Sequence, residues 1–232
     1  MVKRVLDMVL SGFALLILLP FFPLIALPLK LTGEGEIFYV QPRVGKKGRI
    51  FGLVKFATML KDSPNLPGGD ITLAGDPRVL PLGHFLRKTK INELPQIWNV
   101  LKGDISIVGP RPLTPGNFNA YPREIQREIE DVKPGLTGIG SIVFRDEQSI
   151  IARSHKPAKD CYREDIAPYK GELEVWYKEN RSLGLDLLLI FLTAWVIFFP
   201  GSNLHESLLK GLPQRPDALC FQPPQGSSGP SM

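Results

Sequence analysis

The chain has 232 residues, of which 44% are hydrophobic and 22% charged, with a net charge of +5 and a mean hydropathy of +0.02. This composition excludes a disordered chain, and it excludes a transporter with many membrane spans, each of about 20 apolar residues. Two cysteines, Cys161 and Cys220, are too few for a disulfide scaffold, so we expect a cytosol-facing protein; the positive charge suits anionic lipids or phosphorylated substrates.

The first predicted element is an uncharged apolar run over residues 8–29, which basic residues flank on both sides. At about 1.5 Å per residue, this run is long enough to cross a bilayer core of about 30 Å. Prolines interrupt it at positions 20, 23 and 28, and the central Pro20 should break the helix because proline lacks an N–H group. The run is interpreted as a re-entrant hairpin, a single span or a signal peptide. We expect the re-entrant form, over residues 1–32.

Residues 33–200 form the predicted catalytic body, in which short β-like runs alternate with helical patterns. We therefore expect a helix-rich α+β fold with a small sheet. The apolar run at 187–199 is too short to span a membrane, and it predicts an interfacial or core-packed helix within 183–199. Residues 201–232 are rich in Pro, Gly and Ser, which predicts a disordered tail. The predicted strands lie at 37–40, 50–56 and 105–108, and the helices at 82–88, 92–101, 123–132 and 161–180.

The residues that could carry chemistry are concentrated between positions 76 and 112. The chain has no nucleotide-binding glycine motif, zinc-protease motif or serine-hydrolase motif, and its histidines are scattered. Arg87 and Lys88 precede a predicted helix start at which Asn92 is a suitable N-cap, and cations beside a helix N-terminus form an anion site. Within it, Glu93 is a lone carboxylate that suits a nucleophile, an acid or base, or a Mg²⁺ ligand. An ordinary capped and solvated helix is the alternative.

The string LRKTKINELPQIWNVLKGDISIVGPRPL, at 86–113, resembles the signature of the bacterial sugar transferases, the small monotopic phosphoglycosyl transferases. The usual form of that signature is LRKTSLDELPQLxNVLKGDMSxVGPRP. The resemblance covers residues 1–200 and implies an N-terminal helix broken at a proline, here Pro20. Further segments resemble the family's QxRxG, KFRTM, KPGxTG and NxSLxxDL motifs: QPRVG at 41–45, KFATM at 55–59, KPGLTG at 133–138 and NRSLGLD at 180–186.

The resemblance implies transfer of a sugar-1-phosphate from a UDP-sugar to a polyprenyl (undecaprenyl) phosphate, with Mg²⁺ and release of UMP. It places the reaction at the cytosolic face of the bacterial inner membrane, in the synthesis of a polysaccharide such as O-antigen or exopolysaccharide. Membrane lipid is a further expected partner. A homo-oligomer is compatible with the sequence, whereas nucleic acid is not expected because aromatic residues are not interleaved with the cations. The expected phosphate- or substrate-binding residues are Lys55, Arg87, Lys88, Arg111 and Arg145, with a surface or lipid-facing charge as the alternative for each.

One position departs from the family pattern. The family mechanism uses an Asp-Glu pair whose Asp attacks the β-phosphorus of the UDP-sugar, but Asn92 occupies that position here, and a carboxamide is a poor nucleophile and no anionic Mg²⁺ ligand. Glu93 is one alternative nucleophile, and it is also the candidate Mg²⁺ ligand. Asp146 or Glu147, beside Arg145, is another, although these residues also fit a solvated loop salt bridge. The remaining alternatives are direct transfer and a non-catalytic membrane-surface scaffold.

Overall fold

The computed structural model describes residues 2–67, 72, 75–199 and 201–219. It begins with a broken apolar helix: α1 (Val2–Leu18) is followed by a 3-10 turn (Leu19–Phe21) and then by α2 (Phe22–Thr32). Pro20 lies in the 3-10 turn, where its missing N–H group interrupts the α-helical hydrogen bonds. The predicted break at Pro20 is therefore confirmed.

The body contains two small sheets and several helices. Strands β1 (Phe38–Val44) and β2 (Ile50–Phe56) form an antiparallel hairpin, and β3 (Ser106–Val108) pairs in parallel with β4 (Gly135–Thr137). Helices of the body are α3 (Pro81–Lys88), α4 (Gln96–Lys102), α5 (Pro115–Asn119), α6 (Arg123–Glu130), α7 (Ile139–Val143), α8 (Glu147–Arg153), α9 (Ala158–Cys161), α10 (Ala167–Asn180), α11 (Leu183–Phe198) and α12 (Leu204–Leu208). This is the predicted helix-rich α+β fold.

Helix α11 is half-buried along its length. The side chain of Ser182 caps its N-terminus by accepting a hydrogen bond from the Leu185 N–H at 3.1 Å. Its buried residues recur at helical spacing, with Leu189 and Leu192 fully buried, while Leu187 and Phe191 on the other face are exposed. The helix has only 16 residues, fewer than a membrane span needs. It packs one face on the body and presents its other apolar face outward, as predicted for 183–199.

Polar contacts hold the start of the broken helix against the body. Arg4 donates to two carbonyls in the last turn of α4, at 2.6 and 2.7 Å, and the buried Asp7 accepts hydrogen bonds from β3 at 2.7 and 3.0 Å. Lys3 donates to Tyr177 at 2.8 Å and to Asp186 at 2.6 Å. These contacts join α1 to α4, β3, α10 and α11.

The end of the broken helix packs against the same body. Leu29 is fully buried in a cluster with Phe56 of β2 and Leu86 of α3. Residues 2–32 are long and apolar enough to cross a membrane, with a mean hydropathy of 2.4 over an 18-residue window, and most of their side chains face outward. Because the body contacts both ends, the segment has the arrangement of a re-entrant membrane element.

The principal differences from the sequence prediction lie at element boundaries. The helix predicted at 92–101 is a 3-10 turn (Ile91–Glu93) followed by α4, and the helix predicted at 161–180 is α9, one π-helical turn (Tyr162–Ile166) and α10. Residues 201–219, assigned to a disordered tail by composition, contain α12 and pack Leu209 and Leu219 into the main core. Residues 220–232, including Cys220, lie outside the described residues.

Candidate active site

A cleft of about 1370 Å³ opens between the β1–β2 hairpin, the segment after α3, the start of α8 and one side of α11. All side chains that the sequence predicted for catalysis or substrate binding contribute to its lining. These residues are Lys55, Arg87, Lys88, Asn92, Glu93, Arg111, Arg145, Asp146 and Glu147. The cleft therefore brings together segments that are far apart in the sequence.

Glu93 is the carboxylate at the centre of the cationic part of this cleft. It lies at the end of the 3-10 turn, its side chain is 19% exposed, and its Oε1 lies 3.5 Å from Nη2 of Arg111. Burial by itself would raise the pKa of Glu93, but Arg111, Lys55 and other cations nearby outweigh it and lower the pKa to about 2. Glu93 is consequently ionised at neutral pH.

Lys55 and Arg43 extend from the hairpin into the cleft. Burial, together with the charge of Arg43, lowers the pKa of Lys55 to about 7. Nη1 of Arg43 donates to the carbonyl of Pro112 at 2.8 Å, which ties β1 to the segment that carries Arg111. A bound phosphate would favour the charged form of Lys55 because it would add negative charge to that of Glu93.

Arg111 lies between the hairpin side of the cleft and the helices α7 and α10. It lies between Pro110 and Pro112, its N–H donates to Oε1 of the buried Glu174 at 3.2 Å, and its Nη1 donates to Ser141 at 3.4 Å. The charge of Glu93 raises the pKa of Arg111, so the guanidinium stays charged. The side chain is only one-third exposed and is held at both ends.

The other predicted cations differ in how far they enter the cleft. Arg87 lies in the last turn of α3 and is partly buried, and that burial lowers its pKa. Lys88 is exposed at the rim, whereas Nη1 of Arg145 is buried and has no hydrogen-bond partner among the described residues. Arg145 therefore has a free donor inside the cleft, to which an incoming anion could bind.

Asn92 does not cap a helix, and this part of the sequence prediction is wrong. It is 6% exposed inside the 3-10 turn, and α4 begins only at Gln96. The N–H groups of Glu93 and Leu94 bond to carbonyls three residues earlier, as do those of Ile97 and Trp98, so they are not available to an anion. The predicted anion site consequently consists of cationic side chains rather than a helix N-terminus. The buried Oδ1 of Asn92 has no partner among the described residues.

The two alternative carboxylates have other partners. Glu147, at the first position of α8, forms an ion pair with the buried Lys170 of α10, and this pair lowers the pKa of Glu147 against the effect of its burial. Asp146 is exposed and accepts a hydrogen bond from Ser149 at 2.7 Å. Neither carboxylate is as closely surrounded by cations as Glu93.

The sequence prediction missed several residues that shape this site. Lys90 adopts a left-handed conformation with φ of 62° and begins the turn that carries Glu93. Lys170 and Glu174 lie one turn apart on α10 and are both buried. A basic and an acidic residue four positions apart on an otherwise apolar helix face would have been the signal for this pair.

The residues of the cleft fit a metal ion that is shared with a substrate. Among the residues that the structure describes, no group of three or more His, Cys, Asp or Glu side chains could hold a metal ion. Mg²⁺, however, commonly uses one or two protein oxygens and takes its other ligands from substrate phosphates and water. Glu93 would offer such an ion one carboxylate oxygen, and the Oδ1 of the adjacent Asn92, which has no partner among the described residues, would offer a second oxygen.

A protein family and several known proteins match most of this chain. The family described as "Bacterial sugar transferase" matches residues 1–200. An undecaprenyl-phosphate glucose phosphotransferase of Komagataeibacter xylinus is 34% identical over 82% of this chain and 35% of its own length. A UDP-glucose:undecaprenyl-phosphate glucose-1-phosphate transferase of Escherichia coli is 33% identical over 84% of this chain and 40% of its own length.

A shorter relative matches along most of its length. The exopolysaccharide production protein ExoY of Rhizobium meliloti is 31% identical over 83% of this chain and 84% of its own length. The chain thus spans less than half of the two longer relatives but most of this one. Taken with the cationic cleft and the broken apolar helix, these matches show that the chain belongs to the bacterial sugar transferase family.

Proposed function

We propose that this protein transfers a sugar-1-phosphate from a UDP-sugar to a polyprenyl phosphate, giving a polyprenyl-diphosphate sugar and UMP. The observation that carries the proposal is the ionised Glu93, enclosed by Arg111 and Lys55 in a cleft next to apolar membrane elements. Two phosphate-bearing substrates require several cations, and the acceptor requires a site at the membrane surface. The names of the two longer relatives describe undecaprenyl-phosphate sugar transferases.

In the first step, a carboxylate oxygen of Glu93 attacks the β-phosphorus of the UDP-sugar. A bond forms between this oxygen and phosphorus, and the bond to the bridging oxygen breaks, so that UMP leaves with the electron pair. In the second step, an oxygen of the polyprenyl phosphate attacks the same phosphorus and releases Glu93 as a carboxylate. No net proton transfer is needed, which agrees with the low pKa of Glu93.

Glu93 suits this role better than the two alternative carboxylates. A nucleophile must be ionised, placed in the cleft and free to leave its resting contact. Glu147 forms an ion pair with Lys170 of α10, and Asp146 is exposed and accepts a hydrogen bond from Ser149. Glu93 meets Arg111 only at 3.5 Å, a long contact that an incoming phosphate can replace.

The cations would bind the diphosphate and stabilise the charge that develops on the leaving UMP. Among the cations, Arg111 and Lys55 lower the pKa of Glu93 most, so they would contact the β-phosphate. Arg87 and the unpartnered donor of Arg145 remain for the second phosphate or the nucleotide. Preorganised donors of this kind commonly supply the largest part of the rate acceleration in group transfer.

Mg²⁺ would enter with the diphosphate and neutralise part of its charge. Glu93 and Asn92 Oδ1 are the protein oxygens that would hold it. Removal of Mg²⁺ with EDTA should abolish UMP release, and Asn92→Ala should raise the Mg²⁺ concentration needed for half-maximal release by about tenfold, the typical lower cost of a lost ligand or supporting group. Equal Mg²⁺ dependence of wild type and Asn92→Ala would contradict the role of Asn92.

We propose that the body faces the cytosol, where nucleotide sugars are made. The basic residues at both ends of the broken helix favour that side. Protease added to the outside of spheroplasts should then leave residues 33–219 intact, whereas inside-out vesicles should allow cleavage. Cleavage from outside would reverse the orientation.

The central experiment measures UMP release from UDP-sugars and polyprenyl phosphate by the purified chain in nanodiscs. Glu93→Gln should reduce release at least about 10³-fold, because the amide removes the ionised nucleophile. The matched control is Glu172→Gln, an exposed residue of α10 outside the cleft. Unchanged turnover of Glu93→Gln would exclude Glu93 as the nucleophile.

A second assay separates the two-step mechanism from direct transfer. Isotope exchange between labelled UMP and UDP-sugar, without polyprenyl phosphate, requires a phosphosugar-enzyme and should occur in wild type. Exchange should be lost in Glu93→Gln. Turnover without exchange would indicate direct transfer, and neither turnover nor exchange across a panel of UDP-sugars would favour a scaffold.

The third variant, Asn92→Asp, restores the residue found in the usual family signature. Activity should stay equal or rise if the site retains the ordinary geometry, since a second ionised carboxylate would then be available. A fall in activity would show that the site is organised around Glu93 and the neutral amide.

A further inference from the structure

The segment that carries Arg111 has an unusual shortage of backbone donors. Pro110 and Pro112 have no N–H group, so the N–H of Arg111 is the single backbone donor of the three residues. This N–H donates to Oε1 of Glu174 at 3.2 Å. A buried carboxyl of a distant helix therefore accepts the one backbone hydrogen bond that this segment can donate.

Other elements hold the carbonyl side of the segment. The N–H of Gly135 donates to the carbonyl of Pro110 at 2.8 Å, and Nη1 of Arg43 donates to the carbonyl of Pro112 at 2.8 Å. These two contacts hold the ends of the segment, whereas Glu174 holds its middle. The middle contact is the one that lies at Arg111 itself.

The surroundings of Glu174 are built to keep its carboxyl in this place. Glu174 is 2% exposed on α10, and its Oε2 is buried without a partner among the described residues. A Cβ atom added at Gly140 would lie 2.3 Å from Oε1, so the glycine in α7 leaves the space that the carboxyl fills. The carboxyl is almost fully buried, and its described hydrogen bond is the one from the N–H of Arg111.

One turn earlier on α10, Lys170 supports the segment 144–147 in a similar way. Lys170 is buried, forms the ion pair with Glu147, and lies 5.3 Å from the ring centre of Phe144. Lys170 and Glu174 thus support, from one helix, the two segments that deliver Arg111 and Arg145 to the cleft.

We propose that Glu174 is a positioning residue that fixes the backbone at Arg111, so that the guanidinium faces Glu93 and Ser141 when the diphosphate binds. Glu174 does not touch the substrate and acts through Arg111. This inference rests on the proposed function in one respect, namely that Arg111 binds a phosphate of the UDP-sugar.

The role requires an acceptor atom at the end of a side chain of this length. Gln keeps the acceptor at the same distance, Asp withdraws it by one methylene, and Leu replaces it with an apolar group of similar size. Burial raises the pKa of Glu174 to about 7, and the carbonyl oxygen can accept the hydrogen bond in either protonation state. The conservative variant Glu174→Gln should therefore preserve function.

The test is a double-mutant cycle on the binding of UDP to the full chain in nanodiscs. Glu174→Leu should weaken UDP binding about tenfold when Arg111 is present, but less than twofold in the Arg111→Ala background. Glu174→Gln should bind UDP within twofold of wild type. Glu172→Leu, on the exposed side of α10, is the matched control and should not change binding.

The outcomes separate this inference from the proposed function. If wild type binds no UDP, the proposed function fails and the inference fails with it. If wild type binds UDP and Arg111→Ala weakens binding, but Glu174→Leu costs the same factor in both backgrounds, the inference alone is wrong. A loss in Glu174→Gln as large as that in Glu174→Leu would also overturn it.

A second perturbation reaches the same contact from another element. Gly140→Ala would place its Cβ against Oε1 and displace the carboxyl while leaving α10 unchanged. It should weaken UDP binding several-fold, again only when Arg111 is present. If Glu174→Leu does not fold, as judged by thermal unfolding, Gly140→Ala and Glu174→Asp complete the cycle. Equal losses with and without Arg111 would contradict the inference.

Discussion

The buried carboxyl of Glu174 should make the stability of the protein depend on pH. Its pKa is raised from 4.5 in the unfolded chain to about 7 in the folded protein, chiefly by burial. The folded state therefore holds the proton more tightly. Below about pH 4.5 this contribution to the free energy of unfolding is fully present, and it is lost as the pH rises to 7 and above.

The expected size follows from this shift. A difference of about 2.5 pH units corresponds to about 3 kcal/mol, because each unit is worth about 1.4 kcal/mol. Wild type should thus lose about 3 kcal/mol between pH 4.5 and pH 8 through this group, and Glu174→Gln, which cannot titrate, should not. The difference between the two proteins cancels the titration of groups that they share.

Denaturant unfolding in detergent micelles, followed by tryptophan fluorescence, measures this difference. The free energy of unfolding of wild type minus that of Glu174→Gln should be more positive at pH 5 than at pH 8. Glu172→Gln, on the exposed side of the same helix, controls for the loss of one titratable group. A difference that is constant between pH 5 and pH 8, or that rises with pH, would refute the reasoning.

Three further predictions concern stability and are measured by thermal unfolding. Asp7→Leu should lower the free energy of unfolding by about 2–5 kcal/mol, because it removes the acceptor of two hydrogen bonds from β3; an unchanged Tm would contradict the importance of that contact. Gly83→Ala should lower the free energy of unfolding by at least about 2 kcal/mol, because its Cβ would lie 2.2 Å from a backbone oxygen. The Cβ of Gly12→Ala would meet nothing within 4 Å, so this variant should be neutral or stabilising. Equal Tm values for the two variants would be inconsistent with this packing. Leu189→Ala should lower the free energy of unfolding by about 2–5 kcal/mol. Leu187→Ala, on the exposed face of the same helix, should lower it much less in detergent. Equal losses would mean that α11 has no buried face.

The elements with strong local patterns could be predicted from the sequence. The uncharged run with a central proline predicts the broken helix, because the missing N–H of Pro20 acts locally. Short β-like runs likewise predict β2 and the first half of β1, and the short apolar run predicts α11. Strand β4 was not predicted, because three residues within KPGLTG are too few to show a period, and its pairing with β3 depends on tertiary contacts.

The candidate site was predicted in part, through its charged residues. The cations and Glu93 are conspicuous in the sequence, and the cleft brings them together. The turn that holds Asn92 was not predicted, because the preference of Asn for N-caps is outweighed by a run of 3-10 hydrogen bonds. The roles of Lys170 and Glu174 depend on contacts across 23 and 63 residues, which no local pattern reveals.

The contact between Lys3 and Asp186 has a consequence for biosynthesis. The two residues are separated by 183 positions, so the N-terminal segment leaves the ribosome long before its partner exists. At about 5–20 residues per second, the interval is roughly 10 to 40 s. During that time the lipid bilayer or a chaperone must shelter the apolar helix. The contact between Lys3 and Asp186 can therefore form only after most of the catalytic body has been synthesised.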